Sequence, residues 1–171
     1  MVQEAHHRVL NELVVMEPYV DKHLEEIYAA HDGQHMEAWV QKQHKISFTT
    51  WIKELQNIPH GESDEARLTS SPSTQITTWQ GYDINGYRFH IKEKDKKSAA
   101  QNNGVRYEGL DESTGQTKTY FGQIEEIWEL DYDSDLQLVV FRCQWVKPKG
   151  VVMDDYGLTT MELQSVGYKD D

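Results

Sequence analysis

One stretch limits the architectures open to this chain more than any other: Tyr120–Val146, YFGQIEEIWELDYDSDLQLVVFRCQWV. Its second half alternates. Val139, Phe141, Cys143 and Trp145 are apolar at odd positions, and Arg142 and Gln144 are polar between them. That is the two-residue period of a strand with one buried face. Leu136, Leu138, Val139 and Val140 are apolar on both faces, as in a strand that crosses the middle of a barrel or sandwich. In the first half, Ile124 and Ile127 lie three apart and cannot share a face of a regular strand. A β-bulge at Glu125–Glu126 reconciles them, and bulges help a sheet to curl. The acidic DYDSD between the halves reads as a hairpin turn. Burying each large side chain here is worth roughly 1.5–3 kcal/mol, yet an isolated hairpin is marginal in water, so other strands must flank it.

Upstream the period is helical. Val9, Leu10 and Leu13 share one side of a short helix over Val2–Leu13, and Pro18 suits a first helical turn. Val20, Leu24 and Ile27 then follow at i, i+4, i+7, and Asp32–Gly33 ends that helix. A further periodic run, Met36, Trp39, Val40, then Phe48, Trp51, Ile52 and Leu55, is expected to break across the β-branched Ile46–Thr50. Asn57–Ser73 carries Pro59, Gly61 and Pro72 among polar residues and reads as a linker. The expected organisation is therefore α+β: a helical segment over residues 1–56, a linker over 57–73, and a small antiparallel β-barrel over 74–171.

Within the last part, runs Ile76–Ile84 and Tyr87–Lys92 flank Asn85–Gly86, the strongest short hairpin signal, because a type I′ turn needs positive φ at both residues. Lys92–Asn103 reads as a polar, basic loop and Gly104–Leu110 as a strand. Asp111–Gln116 around Gly115 and Lys147–Gly150 read as turns, and Leu158–Val166 as a last strand before the acidic Asp170–Asp171.

Composition narrows the function classes. A net charge of -12 disfavours a general nucleic-acid binder, although a local basic patch is compatible with it. No apolar run reaches the length of a membrane span, and MVQEAHHRVL has no apolar signal region. A single cysteine, Cys143, precludes an internal disulfide and fits a reducing, intracellular compartment.

In the β part, GYDINGYRFHIKEKDKKSAAQNNGV, YFGQIEEIWELDY, FRCQWV and VGYKDD follow one another in the order found in a plant family. They resemble the CACTA (En/Spm-type) transposon-encoded domain of unknown function 4216, which lies towards the C-terminal end of those proteins and of host proteins derived from them. The resemblance spans about Ile76 to Asp171, and AHHRVLNELVVMEPYVDKH resembles the helical region that adjoins the domain in transposase proteins. It implies a nuclear, chromatin-associated protein of transposon origin. No catalytic residue is established for that family, so none carries over. A weaker similarity joins GQIEEI and FRCQWV to the core hairpin of bromo-adjacent homology domains, chromatin-reading barrels related in shape to SH3-like barrels. Here Lys147–Pro148 stands where those domains have Arg-Pro.

Candidate sites follow. Tyr82, Tyr87, Tyr120, Trp128, Tyr132 and Trp145 include enough rings for an aromatic cage around a methylated lysine, or they form the core and rim of a small barrel. Lys92, Lys94, Lys96, Lys97 and Arg106 are the candidates for phosphate or an acidic partner, with Glu93 and Asp95 interleaved. Asp131-x-Asp133-x-Asp135 imitates a calcium loop but lacks its Gly and Glu, and reads as a turn. His6, His7, His23, His31, His35 and His44 have no cysteine near them and read as surface or helix-packing residues, not a zinc site. Cys143 reads as a buried structural thiol without a base. No P-loop, Gly-x-Ser-x-Gly or dinucleotide motif occurs.

No catalytic constellation, metal site or cofactor is expected. The leading reading is a non-enzymatic interaction module for a protein or histone-tail ligand in the nucleus. The alternatives are an accessory nucleic-acid-binding part of a transposase, and a metal-dependent hydrolase using Asp131, Asp133, Asp154 or Asp155.

Overall fold

The computed structural model describes residues 1–31, 37–55, 63–111 and 116–167. The chain is α+β, with helices first and antiparallel strands after. It divides into two compact units. One is Met1–Ile76 with Leu130–Leu138, and the other is Thr77–Glu129 with Val139–Asp171. The expected stops at Asp32–Gly33 and Gly115, residues Met36 and His35, Gln56 of the expected helical segment, residues 57–62 of the expected linker, and Asp170–Asp171 lie outside the described residues.

In the first unit, α1 (Val2–Glu12) leads through a short 3-10 turn, Val14–Met16, to α2 (Glu17–Ala30), with Pro18 in its first turn as expected. The third helix, α3, runs unbroken over Glu37–Glu54, so the expected interruption at Ile46–Thr50 does not occur. Its buried residues are Val40, His44, Phe48 and Ile52, one stripe at i, i+4 spacing. His44 fills the apparent gap between Val40 and Phe48: a polar side chain occupies a core position. Packing of that stripe outweighs the weak helix propensity of the β-branched residues around it.

A fourth helix, α4 (Asp64–Thr69), lies inside the expected linker. Ser63 Oγ caps it by accepting from the Ala66 amide at 3.3 Å, and Leu68 is fully buried. Arg67 holds the Asp133–Leu136 turn to this helix: its Nε is 2.8 Å from Asp133 Oδ2 and its Nη2 3.3 Å from Asp135 Oδ2. The Ser73 amide donates to the Asp131 carbonyl at 2.7 Å. Leu10, Met16, Phe48, Ile52, Leu68 and Leu130 form the unit's apolar centre, all fully buried.

The second unit holds β1 (Thr77–Trp79), β2 (Gly81–Ile84), β3 (Tyr87–His90), a one-turn helix α5 (Lys92–Asp95), and β4 (Gly104–Asp111). It also holds most of β5 (Gln116–Asp133) and β6 (Leu136–Trp145), then β7 (Val151–Met153) and β8 (Thr159–Met161). Asn85 and Gly86 have φ of 51° and 83°, the two positive values a type I′ turn needs, between β2 and β3. The expected single strand Ile76–Ile84 is split at Gln80. Its first part pairs with β5 and its second with β3. The expected Leu158–Val166 strand is reduced to β8 plus a single bridge from Val166 to Val146.

The long β5 organises the larger sheet. It pairs with β4 over Gln116–Gln123, with β1 over Ile127–Glu129, and with β6. Ile124 and Ile127 are both fully buried, and the change of partner from β4 to β1 falls between them, where a bulge was expected. Among the described residues the strands form one four-stranded and two two-stranded sheets, without a closed ring of strand pairs.

Candidate functional site

Antiparallel pairing of β4 with β5 sets Tyr107 directly opposite Tyr120. Trp145, at the end of β6, completes a group of three rings. Tyr107 and Tyr120 are 6.3 Å apart between centroids, and Trp145 is 6.2 Å from each. The ring planes are inclined at 35° to 66°. Two glycines make room. A Cβ on Gly109 would stand 2.5 Å from the Tyr107 ring, and one on Gly122 would stand 2.8 Å from Trp145 Cε3 and 2.7 Å from the Gln144 carbonyl oxygen. Tyr107 is 46% exposed, so the group opens to solvent on its side, while Tyr120 and Trp145 are half-buried.

The other aromatic candidates lie elsewhere. Tyr87 stands exposed beside the β2–β3 turn. Trp128 is buried and donates its Nε1 hydrogen to Glu126 Oε2 at 2.8 Å. Tyr132 belongs to the helical unit, where its hydroxyl lies 2.9 Å from His6 Nδ1. Tyr82 meets Trp79 edge-on at 6.0 Å. Among the described residues no ring contact joins Tyr87, Trp128 or Tyr132 to Tyr120 and Trp145. Sequence reasoning missed Tyr107, and the signal was present. Counting four residues outward from each end of the expected Asp111–Gln116 turn lands on Tyr107 and Tyr120.

The basic candidates are largely neutralised. Lys92 Nζ is 2.7 Å from Glu125 Oε1 and donates also to Gln144 Oε1 at 3.3 Å. Lys96 pairs with Glu93 at 2.5 Å, and Arg106 pairs with Glu108. Among the described residues only Lys94 and Lys97 of this set make no ion pair. The expected basic loop begins as α5, and it is anchored by its acid rather than its lysines. Asp95 is fully buried, receives the His90 Nδ1 hydrogen at 2.8 Å and accepts from the Asn102 amide at 2.5 Å. Burial alone would raise the Asp95 carboxyl, but these donors outweigh it and hold it below its ordinary value.

The acidic candidates serve turns. Asp133 Oδ1 accepts from the Asp135 and Leu136 amides at 2.8 and 2.9 Å, and Asp154 Oδ1 accepts from the Tyr156 and Leu158 amides at 3.0 and 2.8 Å. Cys143 is half-buried, and burial first, with the Glu125 charge second, pushes its thiol up to about 12, so it is not a nucleophile near neutrality.

Of the histidines, His6, His23 and His44 are buried in helix packing and His31 is exposed, as the reading of surface or helix-packing residues expects. His23 and His44 are buried, their Nδ1 atoms 2.8 Å apart. His44 Nε2 donates to Asn11 Oδ1 at 2.7 Å, and Ser47 Oγ lies 3.3 Å from His23 Nε2. Asn11 Nδ2 in turn donates to His7 Nε2 at 3.3 Å. This chain of polar groups links α1, α2 and α3. Burial pushes His44 and the separate His6 down to about 4, and lowers His7 and His23 as well. His23 and Ser47 line an open groove of about 360 Å³ between α2 and α3, beside Glu26, Trp51 and Glu54. Among the described residues no group of three His, Cys, Asp or Glu side chains is arranged to hold a metal ion, and no helix is long and apolar enough to cross a membrane.

No family model, no curated protein and no solved structure matches the chain.

Proposed function

We propose that this is a non-enzymatic interaction module of transposon origin that recognises a basic peptide of chromatin, such as a histone tail, in the nucleus. The observation that carries the reading is the Tyr107–Tyr120–Trp145 group. Three inclined rings, one of them open to solvent, offer π faces to a cation, and a methylated ammonium is the cation such groups favour. The net charge of -12 suits a basic ligand and repels phosphate. Of the basic residues that could have opposed this, Lys92, Lys96 and Arg106 are paired with carboxylates, which disfavours the nucleic-acid alternative. The scattering of the acidic candidates into turns disfavours the hydrolase. We read the β unit as a small barrel of the bromo-adjacent homology type. Its antiparallel strands, the sharp Asn85–Gly86 turn and the Val146–Val166 bridge support that architecture, and the sequence resemblance to the transposon-associated family supports the origin.

The test is fluorescence titration of the full chain with histone-tail peptides, with and without trimethylated lysine. Binding of a trimethylated peptide is expected, weakened about tenfold or more by Trp145→Ala or Tyr107→Ala with the circular dichroism unchanged. Tyr87→Ala should bind as the parent does. Failure of every peptide to bind, or binding indifferent to Tyr107 and Trp145, overturns the reading.

A further inference from the structure

Hydrogen positions along the buried chain from Asn11 to Gln43 are fixed by which atoms can donate. Asn11 Oδ1 only accepts, so His44 Nε2 carries a hydrogen. Neutral His44 then has its lone pair on Nδ1, and the 2.8 Å contact requires His23 Nδ1 to carry a hydrogen. His23 Nε2 is consequently a bare lone pair facing Ser47 Oγ at 3.3 Å. Ser47 has one hydroxyl hydrogen and two acceptors within reach, His23 Nε2 and the Gln43 carbonyl at 2.8 Å. The Gln43 carbonyl already accepts the Ser47 amide in the ladder of α3, so in the neutral state it is His23 Nε2 that depends on this one hydroxyl hydrogen.

One added proton removes that dependence. It binds His23 Nε2, the His23 Nδ1–H bond breaks, and that hydrogen passes to His44 Nδ1. His44 then donates at both ring nitrogens, to Asn11 Oδ1 and to His23 Nδ1. His23 Nε2–H donates to Ser47 Oγ, and Ser47 donates to the Gln43 carbonyl. Every member has a partner. A second proton has no place, because both Nδ1 atoms would then carry hydrogens across 2.8 Å.

We propose that His23 and His44 form a single-proton switch between α2 and α3: the pair takes up one proton jointly, reversing the hydrogen-bond direction along the chain, and the second proton drives the two helices apart. The groove lined by His23 and Ser47 supplies the route from solvent. The charges facing the pair come from three helices. Glu26 on α2 favours the charged form of His23, and His7 on α1 opposes the charged form of His44. Glu54 on α3 and His31 at the end of α2 line the same groove, while Lys45 on α3 and Arg8 on α1 act on His7. Such an arrangement answers acid with movement of a helix pair, whereas isolated surface histidines would only gain charge.

Imidazole nitrogen NMR of the full chain, titrated from about pH 8 to about pH 4, tests this. At the upper end His44 should carry its hydrogen on Nε2 and His23 on Nδ1. One step should then move both rings together, with His23 gaining Nε2–H. Ser47→Ala removes the acceptor that this hydrogen needs and should weaken proton uptake about tenfold, one pH unit downward. Asn11→Asp places a carboxylate against His44 Nε2 and should strengthen it by about the same factor. Two separate single-ring steps, the same tautomer in both rings at high pH, or a Ser47→Ala chain titrating like its parent would each overturn the proposal.

Discussion

Mild acid should unfold the helical unit well before it reaches the carboxylates. His6 and His44 are buried and held near 4, whereas in the unfolded chain each titrates near 6.5. Between those values the unfolded state binds more protons than the folded one, so stability is full above about 6.5 and falls as pH drops towards 4. At about pH 5 the unfolded histidine is almost wholly charged and the folded one about a tenth charged, a loss of about 2 kcal/mol for each residue. The two together come to about 4 kcal/mol, a large part of the 5–15 kcal/mol typical of a domain. Asp83, Glu93, Asp95 and Asp133 are held below their ordinary values, and what they contribute is present above the carboxylate range and lost only beneath it. The window from about pH 6.5 to 5 therefore belongs to the histidines. Urea unfolding followed by far-ultraviolet circular dichroism, which reads α1 to α3, should show the midpoint falling steeply across that window. A midpoint that stays level there would refute the assignment of His6 and His44 as buried and neutral.

Three substitutions probe the rest. Leu68→Ala, on the helix within the expected linker, should destabilise the chain by about 3 kcal/mol in the same urea assay, where a true linker residue would change nothing measurable. Gly122→Ala should also destabilise, by about 2 kcal/mol or more, because its Cβ meets the Gln144 carbonyl and the Trp145 ring. An open strand site would instead gain stability from the same change. Asp95→Ala should cost about 3 kcal/mol by leaving the buried His90 ring and the Asn102 amide without their acceptor, and amide exchange at Asn102 should quicken.

Much of the β unit was legible because its signals are local. The Asn85–Gly86 turn needs only two residues, and the alternation in Gln137–Trp145 needs only one strand. The helices were legible up to the point where packing overrides propensity. The break expected at Ile46–Thr50 rests on the weak helix propensity of β-branched residues, and His44, on the stripe Val40–Phe48–Ile52, completes the packing that overrides it. The histidines read from the sequence as surface or helix-packing residues, and His23 and His44 do pack between helices. Spacing does not show the chain they form, because the partners of His7, His23 and His44 are Asn11, Ser47 and one another, at separations of 4 to 33 residues. The helix α4 was missed because a single apolar residue, Leu68, carries its burial. Of the aromatic group, Tyr120 and Trp145 stand out in the sequence as aromatic residues of the central hairpin, but Tyr107 requires pairing two strands through a turn before asking which rings meet.

The Leu130–Leu138 tip of the β5–β6 hairpin counts among the helical unit, with Leu130 in its apolar centre and Tyr132 on His6. The chain therefore cannot be divided by one cut. A fragment ending near residue 76 would forfeit Leu130, Tyr132 and the Asp133 that Arg67 grips, and one starting there would carry those residues away bare.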